Sequence, residues 1–309
     1  MPRVPSHESV PDPSSPPYSY RAFGLTVGSD MELSGFVPTP APGTPDVRVT
    51  QGTPSSDFNG DSYARARAEG VLRASLAEGR EVIVEVNPEA DPLYVSAVVT
   101  GELFSVVLRQ RGMLVLHGSG VSKDGHAVGF IGDSGWGKST LAASLVERGW
   151  ELLTDDLLVV DGLRPGGIPM AVPTHPSMRL STEAIDRVNA SDQAHGQAHA
   201  LTTKVRVDQS GAFSDRPAPL RQLFVLDPRP SDRHQATPLS AREAVDEFVR
   251  HTRGRRLLTA PSALTTHLGQ CAALARCVPT ASLRRQFGLD HMDALCDVVE
   301  SGVGEPVAS

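Results

Sequence analysis

The 309-residue sequence predicts an α/β protein with a mixed sheet, a P-loop at its centre and a strand-rich layer before it. Three observations carry that expectation. A short apolar run, Ala127 to Ile131, leads into a glycine-rich loop and then into apolar residues at helical spacing (Leu141, Leu145, Val146), which is the order strand, loop, helix. Several short runs before residue 95 alternate like strands. Beyond Asp161, strand-like and helix-like stretches follow one another to Val299.

Taken from the start, residues 1–17 hold six prolines among Ser and Asp and show no apolar period, which predicts a disordered tail. Residues 18–95 read as a strand-rich layer or small subdomain that packs beside the core. Tyr20 to Val27 alternates like one edge strand, Asp46 to Thr50 like a second, and Gly70 to Ala74 and Glu81 to Val86 like two more joined across Gly79. Residues 52–66 between them read as polar connection. The core domain is expected over 96–305. It opens with a buried helix from Ser96 to Gln110, a strand from Met113 to Val121 ending near His117, and a hairpin turn at Lys123-Asp124-Gly125-His126.

The loop reads Gly132-Asp133-Ser134-Gly135-Trp136-Gly137-Lys138-Ser139, followed by Thr140, and fits G-x-x-x-x-G-K-[ST]. Glycines let successive amide N–H groups turn inward onto phosphate oxygens, and the following helix adds the positive end of its dipole. Lys138 is expected to reach the outer phosphates of ATP and Ser139 to ligate Mg²⁺. The helix is expected to end at Gly149. After it, Trp150 to Asp161 is an apolar run broken by Asp155-Asp156, two carboxylates that strand alternation sends to opposite faces.

Ser181 caps a predicted helix through Val188, and 190–200 reads as a polar loop, in which His195 and His199 lie four apart but without a nearby carboxylate. Lys204 to Val207 forms a strand carrying Lys204 and Arg206 on one face. Leu220 to Leu226 is a buried strand, Ser240 leads into a helix to Val249, and Arg250 to Arg256 is a cationic cluster at its end, read as helix-terminal cations or as a phosphate clamp. Leu264 to Arg276, Ala281 to Arg284 and Leu289 to Val299 complete the pattern.

Composition narrows the functions. A net charge of −7 gives no overall attraction to nucleic acid or to an anionic membrane. No run is read as long and apolar enough to span a bilayer, and no basic-then-apolar leader is seen, so a cytoplasmic enzyme is expected. Cys271, Cys277 and Cys296 have no metal-ligand spacing and read as small apolar helix residues.

His117-Gly118, the loop Gly132 to Ser139, and Arg148-Gly149 through Asp155-Asp156 together resemble the HPr kinase/phosphorylase family. Ser139-Thr140-Leu141-Ala142 and Pro176-Ser177-Met178-Arg179-Leu180 resemble a looser branch of it associated with lasso peptide and other ribosomal peptide maturation. That resemblance implies a core like that of phosphoenolpyruvate carboxykinases and ATP·Mg²⁺-dependent phosphorylation of a hydroxyl, with a peptide or small protein as partner and homo-oligomers as a possibility. It also implies roles: Asp155 as base with His117 beside it, Asp156 with Ser139 on the metal, Lys138 on the phosphates. Ser177 stands where HPr kinases proper carry a metal-holding Glu, which departs from that pattern and puts HPr itself in question as a substrate. A small-molecule kinase or carboxykinase-like enzyme and a silent nucleotide sensor share these motifs and stay open, as do the roles of Lys204, Arg179 and Arg253 to Arg256.

Overall fold

The N-terminal run read as one strand is a hairpin. In the computed structural model, which describes residues 16–40, 43–55, 63–199 and 202–302, β1 (Tyr18–Ala22) and β2 (Leu25–Ser29) pair antiparallel with Ala22 opposite Leu25. The two residues between them, Phe23 (φ 55°) and Gly24 (φ 72°), both lie in the left-handed region, the geometry whose twist matches a tight hairpin. Phe23 tolerates it because its ring packs edge-on to Phe36 (5.7 Å between centroids) and stacks on Phe104 (6.0 Å). Most of the predicted tail lies outside the described residues.

β3 (Val37–Pro38), β4 (Val47–Gln51), β5 (Tyr63–Ala68), β6 (Leu72–Ala77) and β7 (Glu81–Val86) complete a seven-stranded sheet in the order β3-β1-β2-β4-β7-β6-β5. β5 overlaps the stretch read as polar connection. Its alternation is Ala against Arg, so period two is present without the β-branched residues that announce a strand.

Helix α1 (Pro92–Gln110) starts a turn before the expected Ser96, because Asp91 accepts the Leu93 amide as N-cap and Pro92 occupies the first turn. The sequence reading that no stretch is long and apolar enough to cross a membrane is corrected here, since α1 meets that test by length and composition. Its apolar side chains are committed elsewhere: Val99, Leu103, Phe104, Val107 and Leu108 are fully buried in protein. Over Val99–Leu103 the helix widens to a π-turn, a feature that re-aims backbone at functional sites.

The remaining elements are β8 (Leu114–Lys123), β9 (His126–Ile131), α2 (Lys138–Glu147), β10 (Glu151–Thr154), β11 (Leu157–Asp161), β12 (Met170–Val172), β13 (Ser177–Leu180), α3 (Thr182–Arg187), β14 (Ala194–Gln197) and β15 (Val205–Asp208). After them come β16 (Ala218–Pro230), β17 (Gln235–Pro238), α4 (Ala241–Arg250), α5 (Pro261–Cys277), β18 (Thr280–Arg285) and α6 (Met292–Gly302). β14 corrects the polar-loop reading of 190–200: it pairs antiparallel with β15. β13, β15 and β14 form a small sheet, and the other strands make a mixed eight-stranded sheet in which β16 runs parallel to β9 and β18.

The apolar run after α2 is not one unbroken strand. β10 pairs with the outer half of β8 (Leu152 opposite Val121) and β11 with its inner half (Leu157 opposite His117). The ladder breaks at Asp155-Asp156, where Asp156 takes φ 71°. Leu158, the second residue of β11, lies across Gly118, Gly120 and Gly129, where added methyl groups would come within 3.0, 3.2 and 2.6 Å of its side chain. That glycine floor seats β11 against the β8–β9 hairpin and so sets where the aspartates stand.

Candidate active site

The loop between β9 and α2 closes over its own glycines. Gly132, Gly135 and Gly137 hold φ of 154°, 84° and 88°, and a side chain at Gly132 would meet the Trp136 ring at 2.8 Å. Lys138 is 6 % exposed, and its ammonium donates to the carbonyls of Gly132 (2.8 Å) and Asp133 (3.0 Å). Burial pushes the amine down to about 8, although Asp155 and Asp156 pull it the other way.

The two aspartates have different partners. Asp155 is buried; its Oδ1 accepts the hydroxyls of Ser119 and Ser139, each at 2.7 Å, and its Oδ2 accepts the Arg179 amide at 3.0 Å. Asp156 faces three cationic or potentially cationic groups: Arg179 Nη2 at 2.5 Å, Arg253 Nη2 at 3.2 Å and His117 Nε2 at 3.5 Å. Burial alone raises a carboxyl, but Arg179 and Arg253, helped by His117, hold Asp156 well below the usual carboxylate range. The expected pairs of His117 with Asp155 and Ser139 with Asp156 are therefore not those the side chains make. The cause is the left-handed Asp156, which turns the second carboxylate toward β8 and α1 instead of letting strand alternation place it.

A cavity of about 290 Å³ opens between these groups, lined by Ser134, Lys138, Ser139, Asp155, Asp156 and Arg253. His117, Arg179, His199, Thr202 and Lys204 complete its wall. A smaller one, of about 130 Å³, adjoins it, sharing Lys138, Ser139, Arg179 and Lys204 and reaching Gly135, Gly137 and Thr140. Asp133 and Trp136 belong to the loop but turn their side chains outward to the end of α4. Asp133 lies 3.3 Å from the buried His251 ring, whose other nitrogen is 3.2 Å from Glu247, and the Trp136 ring meets His251 edge-on at 5.6 Å.

The segment after α4 ties loop and aspartates together. The His251 carbonyl accepts the His117 amide at 2.7 Å, and the Arg253 amide donates to Val115 at 3.1 Å. The cationic cluster thus divides: Arg253 enters the site, while Arg250 lies 5.6 Å over the Trp136 ring. Gly101, in the π-turn of α1, comes so close that a side chain there would sit 3.3 Å from Arg253 Nη2.

Sequence reasoning missed Ser119, His251, Glu247 and Gly101. Ser119 was legible: two residues from His117 on one strand, it shares that face. The others depend on contacts between distant segments. Lys204 lines the cleft, Arg206 donates to the Ser34 carbonyl at 2.6 Å, and Ser177 pairs with His175 at 3.0 Å. His195 is exposed on β14 and apart from His199 in role.

Magnesium takes hard oxygen donors, few of them from protein, and keeps water and phosphate oxygens for the rest. The adjoining Ser139 hydroxyl and Asp155 carboxylate are such a pair. Among the described residues no three His, Cys, Asp or Glu side chains gather as a cage, and the Asp156 carboxylate, tied to Arg179 and Arg253, lines the same cavity.

No family model and no curated protein matches the chain. Solved structures do, among them the HPr(Ser) kinase/phosphatase from Coxiella burnetii, 11 % identical, with 61 % of this chain and 95 % of that one covered at a TM-score of 0.32.

Proposed function

We propose that the protein is an ATP-dependent phosphotransferase that moves the terminal phosphoryl group to a hydroxyl, with a Ser of a peptide or small protein as the preferred acceptor and Mg²⁺ as cofactor. The observation that supports it is the 2.7 Å bond from Ser139, the last loop residue, to Asp155, with Lys138 and a second, separately held carboxylate facing the same cavity. The sequence resemblance adds the carboxykinase-like core and the peptide acceptor.

Bound magnesium would supply charge neutralisation across the outer phosphates, held by Ser139 and Asp155. Lys138 carries positive charge to the transferring group, and the loop amides hold the phosphates in line. Arg253, Arg179 and Lys204 face the same space and add charge where it develops.

We assign Asp156 to the acceptor, exchanging the two aspartate roles expected from the sequence. Its carboxylate, kept ionised by the arginines, can accept a hydrogen bond from the incoming hydroxyl. A strong base is not needed: in a loose transfer the hydroxyl becomes acidic only as the new oxygen–phosphorus bond forms, and a weak, well-placed carboxylate then takes its proton. His117 orients that carboxylate.

The test is transfer from γ-labelled ATP to a panel of Ser-containing peptides and small hydroxyl metabolites, with Lys138→Ala as control. Label appearing on peptides, and lost in the variant, supports the proposal. Label only on metabolites favours a small-molecule kinase, and tight ATP binding with no transfer to any acceptor favours a nucleotide sensor.

A further inference from the structure

A third cavity, of about 390 Å³, lies away from the phosphate cleft, between the end of α1, the 257–260 crossing and the first turns of α5. That volume is in the range that holds a small molecule. Val106, Leu257 and Leu258 supply an apolar wall, and Arg109, His267 and Gln270 a polar one.

Two of those polar groups are incompletely matched. Arg109 donates to the carbonyl of Arg253 and to that of Gly254 (3.2 Å), yet among the described residues it has no carboxylate at ion-pair distance. Burial pushes its guanidinium down to about 10, with only Glu102 acting against it. A guanidinium out of water without a counter-ion carries a standing cost that an anion relieves, and its planar fork suits a carboxylate or phosphate. His267 is 3 % exposed; Thr252 gives its hydroxyl proton to the Phe248 carbonyl (2.8 Å) and takes the His267 Nε2 hydrogen at 2.9 Å, which leaves Nδ1, without a partner among the described residues, as a hydrogen-bond acceptor. A buried polar atom left unmatched on a cavity wall is a place for a ligand atom.

The same guanidinium holds the chain that enters the active site. Arg253 presents its carbonyl to Arg109 and its side chain to Asp156, 3.2 Å away. Gly254 passes so close to α1 that a side chain there would meet Ser105 Oγ at 2.4 Å.

We propose that this cavity binds a small organic anion through Arg109, with His267 Nδ1 open to a hydroxyl of the ligand, and that occupancy alters the phosphate cleft because the anion competes for the Arg109 hydrogens that hold Arg253 and Gly254. Carboxylate and phosphate groups share this chemistry, so two probes separate them: glutarate and glycerol 3-phosphate. Each is titrated into the full chain by calorimetry, and into Lys138→Ala, Ala263→Phe and Thr266→Trp. The last two place bulk in the cavity mouth from different helix positions, so one remains informative if the other misfolds by circular dichroism.

Saturable binding of at least one probe at up to millimolar concentration is expected, retained in Lys138→Ala and lost in the filled variants. At saturation the probe is expected to change the affinity for ATP by about fivefold or more, the size typical of coupled sites. No saturable binding of either probe, or binding that survives in a correctly folded filled variant, overturns the site; binding with unchanged ATP affinity overturns the coupling. Probe binding is read without phosphoryl transfer, so failure of the kinase proposal leaves this one standing.

Discussion

Lys138 is where local environment has most leverage on chemistry. Buried and bonded to two carbonyls, its amine titrates near 8. The folded protein therefore binds fewer protons than the unfolded chain between about pH 8 and the ordinary lysine value, and this residue makes stability rise with pH across that window. Unfolding by urea should show wild type gaining on Lys138→Met as pH climbs through it. Phosphate favours the charged amine, so ATP binding at pH 8 should take up a fraction of a proton, at most about half, visible as a calorimetric heat that depends on buffer ionisation and absent from the variant. Lys138→Ala should also lose transfer by at least a few kcal/mol of barrier. The aspartates separate by function: Asp155→Asn should weaken ATP·Mg²⁺ binding and metal dependence, while Asp156→Asn should keep affinity and lower transfer by about 10²- to 10⁴-fold. Titration calorimetry beside single-turnover rates decides it. The opposite pattern restores the sequence-based roles.

At the scale of elements, the β8–β9 hairpin is built to let another strand approach. Gly120 and Gly129 stand opposite one another in it, and a methyl group on Gly129 would meet both Leu158 and Leu223 at 2.6 Å. Neither leucine has room to retreat, since both are fully buried. Gly129→Ala should therefore destabilise by about 1–3 kcal/mol, the usual cost of overpacking, and shift the urea midpoint downward. Leu223→Val in the same chain should recover part of the loss. Recovery failing, the strain lies in the backbone and not against the leucines. The hairpin, its Asp124-Gly125 turn and the helix after the loop were legible in the sequence because each is set by neighbours a few residues apart. β5 and β14 were not, since Ala-Arg alternation and a Gly-containing polar stretch gain their strand character only from a partner.

Across the whole molecule, one apolar cluster joins the N-terminal sheet to the larger one. Val27, Val49 and Val82 belong to it, and so do Leu103 and Phe104 of α1 and Val115, Leu157 and Val159 beside the aspartates. A core shared in this way predicts a single cooperative unfolding transition. Both tryptophans, Trp136 and Trp150, lie in the P-loop half, so their fluorescence reports that half while far-ultraviolet circular dichroism reports all of it. The two urea curves should coincide. Separate midpoints would mean that the N-terminal layer folds by itself.

The sequence by itself determined the phosphate loop, the elements flanking it and the identity of the two aspartates, because glycine freedom, helix polarity and a run of apolar residues act over a few positions and need no distant partner. Only the tertiary structure decided what each aspartate faces. The ladder break and the left-handed Asp156 arise where β11 is seated on the Gly118, Gly120 and Gly129 floor, and Asp156 meets Arg253 only because the segment after α4 crosses β8 at Val115. Such contacts join residues from about thirty to well over a hundred positions apart, and their pairing is fixed by packing that no local pattern encodes.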